Sequence, residues 1–146
     1  MKLWKIALIG SAVAVVVLIV WLKAPSTSTV ADEIEKLQNE HGEIQRLTIT
    51  QHAPIDSEAY DEYVVIEDLD VIWELLNEAA PTALRTTDLG PLIEYSLRIR
   101  TTDRTSYITL YDEGLSMLGT HFKIEGENLF VAAIEQRDFD WIEDAR

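Results

Sequence analysis

The sequence predicts an α+β domain built on one antiparallel sheet, carried behind a single transmembrane helix. Three observations predict it: an apolar run at the amino terminus, one amphipathic helical pattern in mid-chain, and a series of alternating segments separated by turn residues. The expected order after the anchor is β-β-α-β-β-β-β, with the one amphipathic helix packed on one face of the sheet.

The apolar run covers residues 6–22 and has Lys5 and Lys23 at its two ends. A helix that crosses the bilayer needs roughly 17–25 residues, so this run is long enough to reach both headgroup layers. A cleavable signal peptide has a shorter core of about 7–15 residues, which makes an uncleaved anchor the prediction and cleavage the alternative. The excess of basic residues before the run predicts a cytoplasmic amino terminus and an extracytoplasmic remainder, at the cell membrane.

Small residues form one stripe along the predicted span. Gly10 and Ala14 are four positions apart, a spacing that lets two membrane helices approach closely. Self-association through this stripe is therefore one hypothesis. The alternative is that small residues are simply frequent in membrane spans.

The chain beyond the anchor is strongly acidic. All 26 acidic residues follow Lys23, against nine of the 12 basic ones, so this part carries a net charge of −17. Such a surface repels nucleic acid and anionic lipid, because binding to phosphate depends on Lys and Arg. It suits basic partners or cations, and it is equally typical of solubility or of adaptation to a salty or alkaline exterior. The absence of cysteine excludes disulfides and a lipid-modified cysteine.

Three segments follow from these patterns. Residues 1–23 are a cytoplasmic stub and the membrane anchor, residues 24–42 are a linker and a short stalk helix, and residues 43–146 are the extracytoplasmic α+β domain. Thr29 and Asp32 have the spacing of a capping box at the start of the stalk helix, and a glycine after it favours its end. We expect this helix to lean on the domain.

Alternating and periodic residues define the elements of the domain. Asp68 is placed to cap a helix whose apolar residues recur at helical spacing as far as Pro81. A loop is expected at residues 81–91, and residues 139–142 are expected to cover a sheet edge. The predicted strands are residues 44–51, 63–66, 94–100, 107–111, 115–124 and 129–134, of which 115–124 is either one longer strand or a broken one.

This order resembles the small uncharacterised outer domains of membrane-anchored or lipid-anchored proteins in Gram-positive bacteria. The resemblance is carried by residues 64–68, which run into a helix, and by the hairpins of residues 95–134. It implies a surface-exposed accessory domain and assigns no site residues.

One predicted hairpin places basic and aromatic residues on an exposed sheet face. A turn centred at residues 103–104 sets Arg100 opposite Tyr107, with Arg98 and Tyr111 on the same face. Arg and Tyr are frequent anchors of protein interfaces, so these four residues are the candidate binding site. The alternative is cross-strand pairing that only stabilises the sheet.

The residue patterns indicate neither a catalytic site nor a cofactor. The sequence has no Gly-x-Ser-x-Gly elbow, and its three histidines lack the spacing of a metal-binding pair. An acidic loop carries carboxylates that could offer oxygen ligands to Ca²⁺, although its spacing is not that of an EF-hand. These carboxylates are Asp56, Glu58, Asp61 and Glu62. A solvated loop is the alternative.

Together these observations predict a membrane-anchored extracytoplasmic domain that is not an enzyme and that binds or regulates another envelope protein. The alternative is an extracytoplasmic sensor that binds a cation or small ligand through the acidic loop.

Overall fold

The computed structural model describes residues 26–88 and 92–145. They form an α+β domain in which three helices pack on a nine-stranded antiparallel sheet. The prediction of an α+β domain with an antiparallel sheet is confirmed. Three helices and nine strands replace the predicted one packed helix and six strands.

The predicted membrane span lies outside the described residues, together with Lys5, Lys23 and the Gly10–Ala14 stripe. Within residues 26–88 and 92–145, none of the helices is both long and apolar enough to cross a bilayer.

The elements follow the chain in the order β1, α1, β2, β3, α2, β4 to β8, α3, β9. The helices are α1 (Val30–His41), α2 (Leu69–Ala79) and α3 (Leu129–Glu135). The strands are β1 (Thr27–Thr29), β2 (Ile44–Gln51), β3 (Glu62–Ile66), β4 (Ala83–Thr86), β5 (Ile93–Thr101), β6 (Thr105–Tyr111), β7 (Gly114–Met117), β8 (Thr120–Glu125) and β9 (Ile142–Glu143). Their spatial order is β1-β4-β8-β7-β6-β5-β2-β3-β9.

All three helices pack on the same side of the sheet, which we call the core face. Leu37 of α1, Leu75 of α2 and Phe130 of α3 are fully buried in one cluster with the inward residues of the strands. Burial of this apolar surface is the main stabilising term of the fold. The other side of the sheet, the open face, is covered by none of these helices.

Residues 27–41 are integrated into this layer. β1 pairs with β4 at one end of the sheet. The predicted capping box of α1 is confirmed: Thr29 N–H donates to Asp32 Oδ2 (3.0 Å) and Asp32 N–H donates to Thr29 Oγ1 (3.2 Å). The helix ends at Gly42, whose φ of +88° suits a residue without a side chain. The segment assigned from sequence to a linker and stalk therefore supplies an edge strand and a core helix.

The last predicted strand is wrong, because residues 129–134 belong to α3. Asn128 caps this helix by accepting from Val131 N–H (3.2 Å), and its amide donates to Tyr111 O (3.2 Å). The buried residues of the helix have i, i+3, i+4 spacing, which fits a helical face rather than a strand. They are Phe130, Ala133 and Ile134.

Short strands account for the remaining differences. The loop expected at residues 81–91 contains β4, which pairs with both β1 and β8. Of the longer or broken strand expected at residues 115–124, the broken form is found: β7 and β8 are separated by Leu118 and Gly119, which have φ of 51° and 77°. Strands of two to four residues are too short for alternation to mark them in the sequence.

Candidate functional site

The open face is built from alternate residues of the central strands. Successive side chains of a strand point to opposite faces, so Leu97 and Ile99 of β5 enter the core while Arg98 and Arg100 are exposed. Tyr107 of the neighbouring strand β6 is 61% exposed on the same side. Three of the four predicted binding residues therefore share the open face.

The predicted register of β5 against β6 is wrong by two residues. Arg98 stands opposite Tyr107, and Arg100 stands opposite Thr105. The turn is closed by Thr101, whose N–H donates to Arg104 O (2.8 Å), so its centre lies one residue earlier than predicted. A shift of two residues leaves every side chain on its predicted face.

Tyr111 is not part of the exposed group. It is only 7% exposed. It pairs with Ile93, and the register of β5 is broken by a bulge between Ile93 and Tyr95. A bulge bends its strand and changes the local direction of side chains.

Arg46 of β2 joins the exposed group, although it was not among the binding residues predicted from the sequence. It stands opposite Arg100 and forms an ion pair with Glu67. Within the described ranges, Arg98 and Arg100 form no ion pair. Only the pairing of β2 with β5, which are far apart in the chain, brings the arginines together. We call Arg46, Arg98, Arg100 and Tyr107 the arginine patch.

Two shallow hollows lie on the open face at the arginine patch. Their volumes are about 210 and 280 Å³, and both are lined by Thr48, Arg98 and Tyr107. Thr48 is 7% exposed, and its Oγ1 has no hydrogen-bond partner among the residues that the structure describes. An unpaired buried hydroxyl costs stability. It also offers a donor to a group bound in either hollow.

A hydrogen-bonded chain of three side chains lies beside the patch. His52 Nδ1 is 3.1 Å from Asp61 Oδ2, and His52 Nε2 is 2.7 Å from Ser96 Oγ. Asp61 Oδ1 also accepts from Ala53 N–H at 3.0 Å. Because an ionised carboxylate can only accept, we assign the hydrogen of neutral His52 to Nδ1, which leaves Nε2 to accept from the Ser96 hydroxyl.

The sheet register explains why these three residues meet. Thr50 of β2 stands opposite Tyr63 of β3 on one side and opposite Ser96 of β5 on the other. His52 and Asp61 lie two residues beyond that row, on the same face of the sheet. These three residues were not predicted from the sequence, because Ser96 is 44 residues from His52 and no local motif links them.

The acidic loop does not gather its four carboxylates into one site. Asp56 and Glu58 are exposed, Asp61 is bound to His52, and Glu62 lies in β3 opposite Gln51. Within residues 26–88 and 92–145, no group of three or more His, Asp or Glu side chains is placed to hold a metal ion.

An apolar hollow of about 990 Å³ adjoins the other side of His52. Ile55 and Leu92, two of its lining residues, are 79% and 72% exposed. Glu94 also lines it, and burial raises the pKa of this carboxyl, with further contributions from Glu135 and Asp112 nearby. Exposed apolar side chains around a hollow are typical of binding surfaces.

Comparison of the chain with protein-family models, with curated proteins and with solved structures finds no match. What the chain does must therefore be inferred from the chemistry of the open face, which has two features. One is the arginine patch, and the other is the Ser96–His52–Asp61 chain.

Proposed function

We propose that this chain is a membrane-anchored extracytoplasmic module that binds another envelope protein through the open face. The partner presents carboxylates to the arginine patch. The observation that carries this proposal is the grouping of three arginines on a sheet face that none of the described helices covers, in a chain whose net charge beyond Lys23 is −17.

Sheet stability does not account for the patch. Arg46 stands opposite Arg100, and like charges in directly opposite positions are destabilising. Glu67 offsets the charge of Arg46. A bound carboxylate would offset the charge of the other two arginines and could form paired hydrogen bonds with a guanidinium.

The patch also has the other features of a protein contact. Tyr107 is a rigid aromatic side chain, and Arg and Tyr are enriched among the residues that dominate interface energies. Thr48, whose hydroxyl is unpaired among the described residues, stands opposite Arg98, which stands opposite Tyr107, and all three line both hollows. A carboxylate or carbonyl of the partner would complete its hydrogen bonding.

Charge complementarity favours a different protein over a symmetric dimer of this chain through the open face. A symmetric dimer through the open face would place one arginine patch against another, and such contact between like charges is unfavourable. The partner is therefore an acidic segment of another envelope protein.

The predicted anchor supports a partner close to the membrane. Only residues 23–26 separate the predicted span from β1. Each extended residue spans at most about 3.3–3.6 Å, so this tether holds the β1 end of the sheet within roughly 15 Å of the bilayer.

Crosslinking in intact cells tests the proposal. The full chain carries a carboxy-terminal tag, and captured proteins are identified by mass spectrometry. The test variant is Arg98→Glu with Arg100→Glu. The matched control is Lys36→Glu with Lys123→Glu, which makes the same change in net charge at two exposed lysines outside the patch.

We expect one envelope protein to be captured by the parent chain and by the control, and lost from the test variant. Equal capture by both variants would show that the patch is not the contact. Capture of this chain alone would point to self-association instead.

A further inference from the structure

We propose that Ser96 is an activated nucleophile that accepts an acyl group from carboxylic esters, with His52 as its base. This inference goes beyond the proposed function and runs against the expectation that the chain is not an enzyme. It rests on the distances that join Ser96, His52 and Asp61, and the tautomer assigned to His52 gives each hydrogen bond the direction that nucleophilic catalysis requires.

Each member of the chain has a distinct role. His52 Nε2 lies 2.7 Å from Ser96 Oγ, within reach to take its proton. Asp61 holds the imidazole through Nδ1–H at 3.1 Å and favours the cation that forms. Ala53 N–H fixes Asp61 in turn, at 3.0 Å.

The reaction balances without a further reagent except water. Ser96 Oγ bonds to the acyl carbon while its proton moves to His52 Nε2, and the bond from that carbon to the leaving oxygen breaks as His52 returns the proton to it. Water then attacks the acyl-serine with His52 again as base, which releases the acid and restores the hydroxyl of Ser96.

Negative charge on the carbonyl oxygen has to be stabilised by side chains here. β5 pairs with a neighbour on both sides at Ser96, so the backbone N–H groups of this strand are used by the sheet. Thr50 stands directly opposite Ser96, and Arg98 is two residues further along the same face. Their hydroxyl and guanidinium are the donors available to that oxygen.

The surroundings of the pair indicate the class of ester. His52 lines the apolar hollow with Ile55 and Leu92, whereas Ser96 and Arg98 line the hollow of about 280 Å³ on the open face. An ester with an apolar acyl chain fits this arrangement, with the acyl chain in the apolar hollow.

A fluorophosphonate probe, which reacts with activated serines, tests the inference on the purified full chain in detergent. The labelled peptides are mapped and the rate of labelling at Ser96 is compared with that at Ser116. Ser116 of β7 is the internal control. It lies on the same face of the sheet as Ser96 and in the same row, because Thr109 stands opposite both serines. This comparison needs no variant and so does not depend on whether one folds.

We expect labelling at Ser96 to be at least about 100-fold faster than at Ser116, the lower range of what a positioned base contributes. His52→Ala should remove that difference, and Ser96→Ala should abolish hydrolysis of p-nitrophenyl butyrate. Equal or absent labelling of the two serines would overturn the inference and leave His52 as a link that fastens the loop to the sheet. Capture of a partner by the arginine patch would be unaffected, so the two proposals fail separately.

Discussion

The two faces of the sheet are made by the same strands and differ in almost every other property. In β5, Leu97 and Ile99 are fully buried, whereas Arg98 and Arg100 between and beside them are exposed. The core face is filled by one apolar cluster shared with three helices. The open face carries arginines, hydroxyls and Tyr107, and none of the helices in the described part of the chain lies above it.

This difference separates the residues that hold the fold from those available for function. A core residue is fixed by packing, so its identity is explained once its neighbours are known. Arg46 opposite Arg100 has no such explanation. Residues that do not contribute to the stability of the fold are the best candidates for contact with another molecule.

The largest expected effect is the difference in stability loss between substitutions at two neighbouring residues of β5. Leu97→Ala should destabilise the domain by about 2–5 kcal/mol, because it opens a cavity in the core. Arg98→Ala should change stability by no more than about 0.5 kcal/mol, as for most exposed positions. Urea unfolding of the purified chain, followed by circular dichroism, measures both. Similar losses from the two variants would remove the distinction between the faces.

A smaller effect is expected at Thr48, the buried residue of the open face. Thr48→Val keeps the shape of the side chain and removes a hydroxyl without a partner among the described residues. We expect stability to rise by up to about 1 kcal/mol, since the cost of the unpaired group is relieved. The same variant should weaken capture of the partner. A loss of stability in the unfolding experiment would show that the hydroxyl is satisfied in solution.

Two carboxylates extend the comparison to the pH dependence of stability. Burial raises the pKa of Glu94, beside the apolar hollow, whereas a hydrogen bond from Arg137 lowers the pKa of Glu78 on α2. The contribution of Glu94 to the free energy of unfolding is therefore lost as pH rises through its folded pKa. That of Glu78 is lost as pH falls through its folded pKa.

Melting temperatures should show these opposite signs. At about pH 7, Glu94→Gln should raise the Tm and Glu78→Gln should lower it. Both differences in Tm should shrink as the pH is lowered through the folded pKa of each carboxyl, and the difference for Glu94 should shrink first because its pKa is the raised one. A fall in Tm for Glu94→Gln at neutral pH would contradict the assigned direction.

The smallest expected effect concerns the acidic loop. Because Asp61 is engaged by His52 and its neighbours do not converge, we expect millimolar Ca²⁺ to shift the Tm no more than Mg²⁺ or NaCl does at matched ionic strength. A shift specific to Ca²⁺ would restore the hypothesis of a cation sensor.

Local patterns predicted the elements that are long and regular. The bounds of β2 and the cap of α2 at Asp68 agree with the structure, because each depends on neighbours in the chain. The helical spacing of α3 was also present in the sequence, but the hairpins before it favoured another strand. β1, β4 and β9 were missed because they are short and form only against partners distant in sequence.

The candidate site was predicted in part for the same reason. Arg98, Arg100 and Tyr107 were predicted because one hairpin brings them together. The error of two residues in its register left all three on the predicted face of the sheet. Arg46 and the Ser96–His52–Asp61 chain depend on β2 lying between β3 and β5. No local pattern specifies that order of strands.

Site-specific photo-crosslinking in cells tests most directly the claim that the open face is the contact surface. A photoreactive phenylalanine derivative replaces Tyr107 on the open face or, in the control, Glu35 on the exposed side of α1. The account predicts an adduct with one envelope protein from position 107 and none from position 35. The same adduct from both positions, or from position 35 alone, would contradict it.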